Sequence, residues 1–379
     1  MNSISRRDLI RKGGAAAATT FTIMAPQTVR GYQANSKISV GLIGCGGRGT
    51  YDATIVHGDK RAQVTALCDL FPDRTENAAQ KLKLENPKTF KEFEKLLASD
   101  VDAVVIATPP FEHPRMLEAA ILAKKHVYCE KPAGVDLAGV KRVIAASKKA
   151  DVKKDVAFGF QQRYGPVYLE AYKRIQAGEI GEVVNARGFW IANDPFQRKP
   201  YDDPKIEKLR NWFAYKELSG DIIVEQDCHN FDVLHWFLNA RPIRVVGMSG
   251  RKVRTTMDIV DHLSLVFEFP KGLHVNYEAN QITPQGFNHI GEEFTGTKGS
   301  IETSRARMIH HKGPREAETI NSPRDITMDG IEAFLGRLET GKVENVAERS
   351  AISTLFAILG RTAMYRQGEA VWQKEFGEV

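Results

Sequence analysis

Short apolar runs alternate with amphipathic stretches over the first half of the chain, from residue 38 to residue 160. The apolar runs predict buried strands at 38–43, 62–68, 102–108, 125–129 and 156–160. The amphipathic stretches predict helices at 50–57, 72–82, 90–98, 114–123 and 135–150. Largely apolar strands that alternate with helices indicate an α/β domain with a doubly wound parallel sheet. Ligands of such sheets bind at the carboxyl ends of the strands.

From residue 161 the pattern changes to alternation of apolar and polar positions. Strands are predicted at 183–191, 244–248, 262–269, 273–278, 293–296 and 300–303. Helices are predicted at 167–177, 220–239, 329–338 and 347–365. The polar stretch 195–208 is a candidate loop over a site, and residues 304–325 show no clear pattern. This order predicts an α+β domain with one open, mostly antiparallel sheet.

These patterns divide the chain into four predicted parts. Residues 1–34 form a leader, and residues 35–160 form a nucleotide-binding domain of the Rossmann type. Residues 161–342 form a second domain for substrate and oligomer contacts. Residues 343–379 contribute a C-terminal helix that packs back on the first domain. A chain of 379 residues is long enough to bury two such cores.

A glycine-rich turn follows the first predicted strand. The sequence IGCGGRG at 43–49 places Gly44, Gly46 and Gly49 in the pattern G-x-G-x-x-G, with Gly47 and Arg48 in the same turn. In this pattern the first glycine permits a tight turn and the second lets a pyrophosphate approach the backbone. The third lets the following helix pack close to the strand. We therefore predict a dinucleotide site at the amino end of that helix.

Asp69 supports this prediction because it ends the second strand, twenty residues after Gly49. A carboxylate in this position accepts hydrogen bonds from a ribose 2′-hydroxyl and repels a 2′-phosphate. NAD is therefore the predicted cofactor. NADP stays an alternative, since Arg74 lies only five residues further along the chain.

Charge and cysteine content exclude several other classes of protein. Residues 1–31 carry a net charge of +4, so the formal +6 of the whole chain leaves only +2 for the remainder. This distribution gives no support to nucleic-acid binding. Four cysteines are too few for a disulfide scaffold in a chain of this length. They do not form a C-x-x-C pair, so no metal site is predicted.

The first residues resemble a twin-arginine export signal. Arg6 and Arg7 precede a short apolar stretch at 13–25, which is too short and too polar for a membrane anchor. Such signals are addresses read by a receptor. The twin-arginine export machinery is thus a predicted partner, and the predicted location is the periplasm or the exterior. The alternative is a basic tail on a cytoplasmic protein.

Further motifs occur in the order and spacing of one known family. They are Ala107-Thr-Pro-Pro110 with His113, Cys129-Glu-Lys-Pro132, Ser219-Gly-Asp-Ile222 with His229, Asp232 and Trp236, Thr295-Gly-Thr-Lys-Gly-Ser300, and Gly360-Arg361 in the final helix. Together with the glycine turn, these motifs show that residues 36–375 resemble the glucose–fructose oxidoreductase / inositol dehydrogenase / MocA family.

The resemblance implies roles for residues in these motifs. Lys131 would contact the substrate hydroxyl and support proton transfer, and His229 would be the general base. Asp232 or Glu225 would orient the imidazole or bind substrate, since all three would share one face of a helix over 220–239. The cofactor-binding set comprises Gly44, Gly46, Gly47, Arg48, Gly49, Asp69, Thr108, Pro109, His113, Glu130 and Lys131. Glu225 and Asp227 depart from the commonest family pattern, which has Asp and Gly there.

Alternatives remain for several of these residues. Arg163 and Tyr164 are either substrate contacts or a structural hinge between the domains. His113 either lines the cofactor crevice or caps a helix. Trp190, Trp212, Trp236 and Phe213 either stack on a sugar ring or belong to the core.

The leading functional prediction is an NAD(P)-dependent oxidoreductase that acts on a secondary hydroxyl of a sugar, cyclitol or glycoside. Two alternatives are a redox-assisted glycosidase or lyase and a binding protein without catalytic activity. An exported enzyme meets no pool of soluble nicotinamide, so the cofactor is predicted to be tightly bound. A homodimer or homotetramer is expected from the resemblance alone.

Overall fold

The computed structural model describes residues 37–378. The predicted twin-arginine leader at 1–34 lies outside the described residues. Among the residues that are described, no helix combines the length and the apolar character needed to cross a lipid bilayer.

The first sheet is parallel throughout and is built from residues 38–158. Its strands are β1 (Ile38–Ile43), β2 (Ala62–Cys68), β3 (Lys88–Phe90), β4 (Ala103–Ile106), β5 (His126–Cys129) and β6 (Val156–Phe158). They are hydrogen-bonded in the order β3-β2-β1-β4-β5-β6. All four residues of β4 are buried, as expected for a strand with helices over both faces. The strand order reverses between β1 and β4, which is where dinucleotides bind in this fold.

Five helices connect these strands, and the predicted doubly wound arrangement is confirmed. They are α1 (Gly47–Gly58), α2 (Pro72–Leu82), α3 (Phe93–Leu97), α4 (His113–Leu122) and α5 (Leu137–Ser147). The predicted helix over 90–98 is wrong at its start. Phe90 belongs to β3, which pairs with β2, and the helix begins at Phe93.

The second sheet is mixed and mostly antiparallel. Its strands are β7 (Val183–Ile191), β8 (Arg244–Gly250), β9 (His262–Glu268), β10 (His274–Asn280), β11 (His289–Gly296), β12 (Ser300–Thr303), β13 (Arg307–Gly313), β14 (Glu316–Asn321) and β15 (Glu369–Val371). The order is β14-β13-β12-β11-β7-β10-β9-β8-β15, and only β7 and β10 pair in parallel among the strands described. The predicted open sheet is confirmed. The sequence pattern missed β13 and β14 at the end of the sheet: β14 has no buried residue, and in β13 only Met308 and His310 are buried.

One face of this sheet is covered by helices and the other is exposed. The remaining helices are α6 (Pro166–Gln176), α7 (Pro204–Arg210), α8 (Lys216–Ser219), α9 (Asp221–Glu225), α10 (Cys228–Leu238), α11 (Ile326–Thr340), α12 (Ala347–Arg366) and α13 (Trp372–Phe376). Phe267 of β9 packs between Phe231 of α10 and Phe356 of α12, at ring distances of 5.5 and 4.7 Å. Its neighbour Val266 points to the other face and is exposed.

The predicted single helix over 220–239 is wrong, because the chain breaks between α9 and α10. The carbonyl oxygen of Glu225 accepts a hydrogen bond from Nζ of Lys131 at 2.5 Å. The amide of His229 donates instead to Gln226, three residues back, at 3.3 Å. Glu225, His229 and Asp232 therefore do not share one face of a continuous helix. The break turns Glu225 toward the loop that follows β5.

Side chains of helix α12 form hydrogen bonds with the loop that follows β5. Oγ1 of Thr354 accepts a hydrogen bond from the amide of Ala133 at 3.0 Å. Nη1 of Arg361 donates to the carbonyl oxygens of Val135 and Gly220, at 2.7 and 3.1 Å. The segment immediately after Lys131 is thus held by a helix that is remote in sequence.

Candidate active site

A cavity of about 670 Å³ opens at the carboxyl ends of the parallel strands. Twelve of the predicted site residues line it: Gly44, Gly46, Gly47, Arg48, Asp69, Thr108, Pro109, His113, Glu130, Lys131, Glu225 and His229. Trp190 and Arg305 line it from the second sheet. The cavity is therefore built jointly by the two halves of the molecule.

The glycine turn fits a dinucleotide. Gly44 has φ of +93°, and a Cβ there would lie 2.6 Å from the backbone of Ala107. A Cβ on Gly49 would approach the carbonyl oxygen of Gly44 to 2.0 Å, whereas Gly46 and Gly47 border open space. No side chain caps the amino end of α1. Its amides are thus free to bind the phosphates of NAD.

Asp69 lies at the end of the cavity that would hold the adenosine ribose. Its carboxylate accepts hydrogen bonds from the amides of Cys45 at 2.8 Å and Phe71 at 3.0 Å. These bonds fix the carboxylate beside the glycine turn. Arg74 also lines this part of the cavity.

We expect Asp69→Asn to weaken the preference for NAD over NADP about tenfold, because it removes the charge that repels a 2′-phosphate. The measurement is the ratio of the two affinities, from fluorescence titration of cofactor-free protein with NADH and NADPH. Asp100→Asn changes the same charge at an exposed site outside the cavity and should leave the ratio unchanged. An unaltered ratio in Asp69→Asn would contradict the assigned role.

Lys131 reaches the cavity from the end of β5 and is held by Glu225. Its Nζ donates to the Glu225 carbonyl oxygen at 2.5 Å and to Oε1 at 3.1 Å. Burial by itself would lower the pKa of Lys131. The negative charge of Glu225, together with that of Glu130, outweighs burial and raises that pKa above its usual value. Lys131 is therefore a fixed ammonium group at neutral pH.

Glu130 contacts the backbone of Lys131. Its Oε2 accepts a hydrogen bond from the amide of Lys131 at 3.1 Å. The carboxylate packs against Gly159, where an added Cβ would lie only 2.6 Å from the carboxylate atoms. Glu130, together with Asp52, raises the pKa of Arg48. Glu130 thus balances the charge of Arg48 at the centre of the cavity.

His229 supplies an imidazole close to the ammonium group. Its ring lies parallel to that of Trp190, with 6.1 Å between centroids and an interplanar angle of 12°. Its Nδ1 is buried and has no hydrogen-bond partner among the described residues. Burial, and then the charges of Arg305, Lys131 and Arg48, lower its pKa well below the usual value. The ring is therefore neutral at neutral pH and can accept a proton.

His113 joins two loops of the cavity wall. Its Nδ1 lies 2.7 Å from the carbonyl oxygen of Pro132, and its Nε2 lies 2.9 Å from that of Thr108. Burial lowers the pKa of this histidine. Of the two alternatives for His113, the structure places it in the cavity wall, and it does not cap α4.

Arg163, Tyr164 and Asp232 are not among the residues that line the cavity. Arg163 forms a buried ion pair with Asp232, with Nε and Oδ2 2.8 Å apart. Oγ of Ser353 donates to the same carboxylate at 2.7 Å. No hydrogen bond between Asp232 and His229 occurs in the part of the chain that the structure describes. These contacts tie α10 to α12 and to the segment after β6.

Several residues that line the cavity lie outside the sequence motifs. Among the aromatic candidates, Trp190, Trp212 and Phe213 line the cavity, whereas Trp236 stacks on Tyr172 at 4.8 Å. Polar residues that sequence reasoning missed include Gln226, Arg210 and Arg305. Arg305 lies in the stretch 304–325, which has no clear pattern, so no local signal indicated it.

The fold and the cavity define a Rossmann-type oxidoreductase that uses a dinucleotide. The family model described as an oxidoreductase family with an NAD-binding Rossmann fold matches residues 38–158. The GFO/IDH/MocA C-terminal domain matches residues 168–302. The chain belongs to the Gfo/Idh/MocA family of oxidoreductases, and NAD is its cofactor.

Relatives of this chain include inositol dehydrogenases. It is 28% identical over 355 residues to scyllo-inositol 2-dehydrogenase (NAD(+)) of Bacillus subtilis, covering 88% of this chain and 96% of the relative. It is 26% identical over 317 residues to inositol 2-dehydrogenase of Rhizobium meliloti, covering 80% and 89%.

Solved structures share the fold over most of both chains. One is scyllo-inositol dehydrogenase from Lactobacillus casei with bound NAD(H) and scyllo-inositol. It has a TM-score of 0.69 at 20% identity, over 89% of this chain and 99% of that one. Levoglucosan dehydrogenase in complex with NADH and levoglucosan has a TM-score of 0.75 at 18% identity, over the same shares.

Proposed function

We propose that this protein oxidises a secondary hydroxyl of a cyclitol or sugar, with NAD as the partner in the redox step. One observation carries the proposal. A fixed ammonium, Lys131, and a neutral imidazole, His229, line one end of a cavity whose other end fits a dinucleotide. The oxidation of an alcohol needs a base that accepts the hydroxyl proton and a nicotinamide that accepts the hydride, and a cation beside the oxygen stabilises the developing negative charge.

The proposed roles follow from the charge of each group. When bound, NAD supplies the acceptor for the hydride. Lys131 donates a hydrogen bond to the substrate oxygen and stabilises the negative charge that develops there. His229 accepts the hydroxyl proton, and Glu225 holds Lys131 in place through two hydrogen bonds. Glu225 is thus a positioning residue for Lys131.

We propose positioning roles for Arg163 and Asp232 as well. Their ion pair and the bond to Ser353 hold α10, which carries His229, against α12. Because the ion pair is largely buried, water cannot replace either partner easily, and the two side chains keep their geometry.

The test of this function is a panel of cyclitols and sugars, with formation of NADH followed by its near-ultraviolet absorbance. We expect turnover with myo-inositol, scyllo-inositol or a neutral hexose, because named relatives act on inositols. Protein that binds NAD but forms no NADH with any member of the panel would contradict the proposal. In a separate incubation with an aryl glycoside, release of the aglycone without net NADH would instead favour the glycosidase alternative.

We further propose that the leader exports the folded protein and that NAD is retained through many turnovers. Arg6 and Arg7 are the residues that support export. Cell fractionation tests the location, and purified protein that releases no NAD on denaturation would contradict retention.

We propose that the exposed face of the second sheet pairs with a second copy of the chain. Val246, Met248 and Val266 are exposed on this face, at 42%, 66% and 41%, and line a shallow groove. Contiguous apolar positions of this kind are typical of subunit interfaces. Light scattering should give the mass of a dimer or tetramer, and a monomer at micromolar concentration would refute the pairing.

A further inference from the structure

Arg305 lies at the tip of a short hairpin between β12 and β13. The amide of Ser304 donates to the carbonyl oxygen of Arg307 at 2.8 Å, and Oγ of Ser304 accepts the amide of Arg307 at 3.2 Å. The amide of Ser322 donates to the carbonyl oxygen of Ala306 at 2.7 Å. These bonds close the turn and hold the backbone of Arg305 in place.

The side chain of Arg305 extends into the cavity beside the proposed base. Its Cζ lies 5.7 Å from the ring centroid of Trp190, the same ring that stacks on His229. Among the cations that lower the pKa of His229, Arg305 has the largest effect. Arg305 therefore belongs to the end of the cavity where the substrate hydroxyl would lie.

No acid among the described residues forms an ion pair or a hydrogen bond with Arg305, although the charges of Asp325 and Glu292 act on it from a greater distance. Its Nε is buried without a hydrogen-bond partner, and within residues 37–378 it forms no ion pair. The two acids accept their hydrogen bonds from neutral groups and not from the guanidinium. Glu292 accepts hydrogen bonds from Asn230 at 2.6 Å and Thr303 at 2.7 Å. Asp325 accepts hydrogen bonds from Tyr51 and Thr327.

Three other cations of the cavity have acidic partners. Lys131 pairs with Glu225 at 3.1 Å, Arg48 lies 3.5 Å from Asp52, and Arg210 binds Asp73 with both of its terminal nitrogens. The guanidinium of Arg305 has no acid in contact and little access to water. Such a group favours an anionic ligand.

We propose that Arg305 binds a carboxylate of the substrate, so that the preferred substrate is an acidic sugar or cyclitol, such as a uronate ring. This inference rests on the proposed dehydrogenase function and adds the class of substrate. The planar guanidinium binds a carboxylate through two parallel hydrogen bonds between opposite charges, whereas the hydroxyls of a neutral inositol carry no charge to pair with it. The other anion that could reach Arg305 is the pyrophosphate of NAD, and the experiment separates the two.

The test compares pairs of sugars that differ only in the acid group: glucose with glucuronate, and galactose with galacturonate. For the wild-type protein we expect kcat/KM to be about tenfold higher for the acid of at least one pair. Arg305→Ala should lower the value for that acid about thirtyfold and leave the neutral sugar within about threefold. Arg305→Lys should restore part of the loss, since it keeps the charge without the planar fork.

Arg307→Ala is the matched control, because Arg307 belongs to the same hairpin, carries the same charge and is exposed outside the cavity. It should leave the preference for the acid unchanged. Calorimetric titration of the NADH-loaded protein with each uronate gives a readout without turnover. Binding to wild-type protein, and its loss in Arg305→Ala alone, would support the site even if no sugar is oxidised and the proposed function fails.

Three results would overturn the inference. Uronates that neither bind nor react while neutral sugars are oxidised would refute the acidic substrate and leave the dehydrogenase function intact. Equal values for acid and neutral sugars in wild-type and Arg305→Ala protein would do the same. Weaker NADH binding in Arg305→Ala, with an unchanged preference among sugars, would assign Arg305 to the pyrophosphate of the cofactor.

Discussion

Replacing Lys131 with alanine should lower kcat on the order of a thousandfold with little change in NAD affinity. The ammonium of Lys131 is buried, held by Glu225 and charged at neutral pH, so its loss removes the group that stabilises the developing alkoxide. Single-turnover measurement with the best substrate of the cyclitol and sugar panel gives the rate of the chemical step. NADH titration gives the cofactor affinity.

Two variants make the Lys131 experiment specific. Lys131→Met keeps the length of the side chain and should lose as much activity as the alanine variant, which separates charge from packing. Lys95→Ala removes an exposed lysine that pairs with Glu92 and should be indistinguishable from wild type. A Lys131→Ala protein that keeps its fold by circular dichroism and a tenth or more of its activity would remove Lys131 from the proposed chemistry.

Replacing His229 with alanine should also lower kcat/KM by several hundredfold or more, because no other group is proposed to take the hydroxyl proton. The loss should be partly reversed by added imidazole, which fits the space that the side chain leaves beside Trp190. A structural role for His229 would not respond to imidazole. Failure of rescue together with a lowered melting temperature would therefore contradict the assignment as base.

The pH dependence offers an independent check on His229. A base must be neutral to act, and the pKa of His229 lies well below its usual value of 6.5. Activity of the wild-type protein should thus stay level as the pH falls through 6.5 and decline only at lower pH. The pKa of Lys131 is raised, so deprotonation of Lys131 should cause no loss of activity below its usual pKa of 10.5. A decline centred at or above pH 6.5 would contradict the neutral imidazole.

The sequence predicted the first half of the molecule closely because its signals are local. The first two apolar strands, the glycine turn and Asp69 lie within about thirty-five residues, and each contributes through backbone contacts to its chain neighbours. The motif Cys129-Glu-Lys-Pro132, which contains Lys131, likewise begins at the last residue of a strand, β5. Such features depend on the conformation of one segment, and the amino-acid order determines that conformation.

The second half was predicted less well, for reasons visible at particular residues. The helix over 220–239 has good apolar periodicity, yet it breaks where a side chain 94 residues away captures the carbonyl oxygen of Glu225. Asp232 has the spacing of an active-site partner, yet it lies in an ion pair with Arg163, behind the cavity. Both outcomes depend on contacts between distant segments.

By itself, the sequence determined the parallel sheet, the dinucleotide turn, and the candidate pair Lys131 and His229. Only the tertiary structure decided which charges around them are balanced. The pairing of β12 with β13 sets Arg305 beside Trp190 and His229, although its own stretch of sequence has no pattern. The physical reason is that the balance of charge in a cavity is a sum over residues brought together by folding, and no local pattern records that sum.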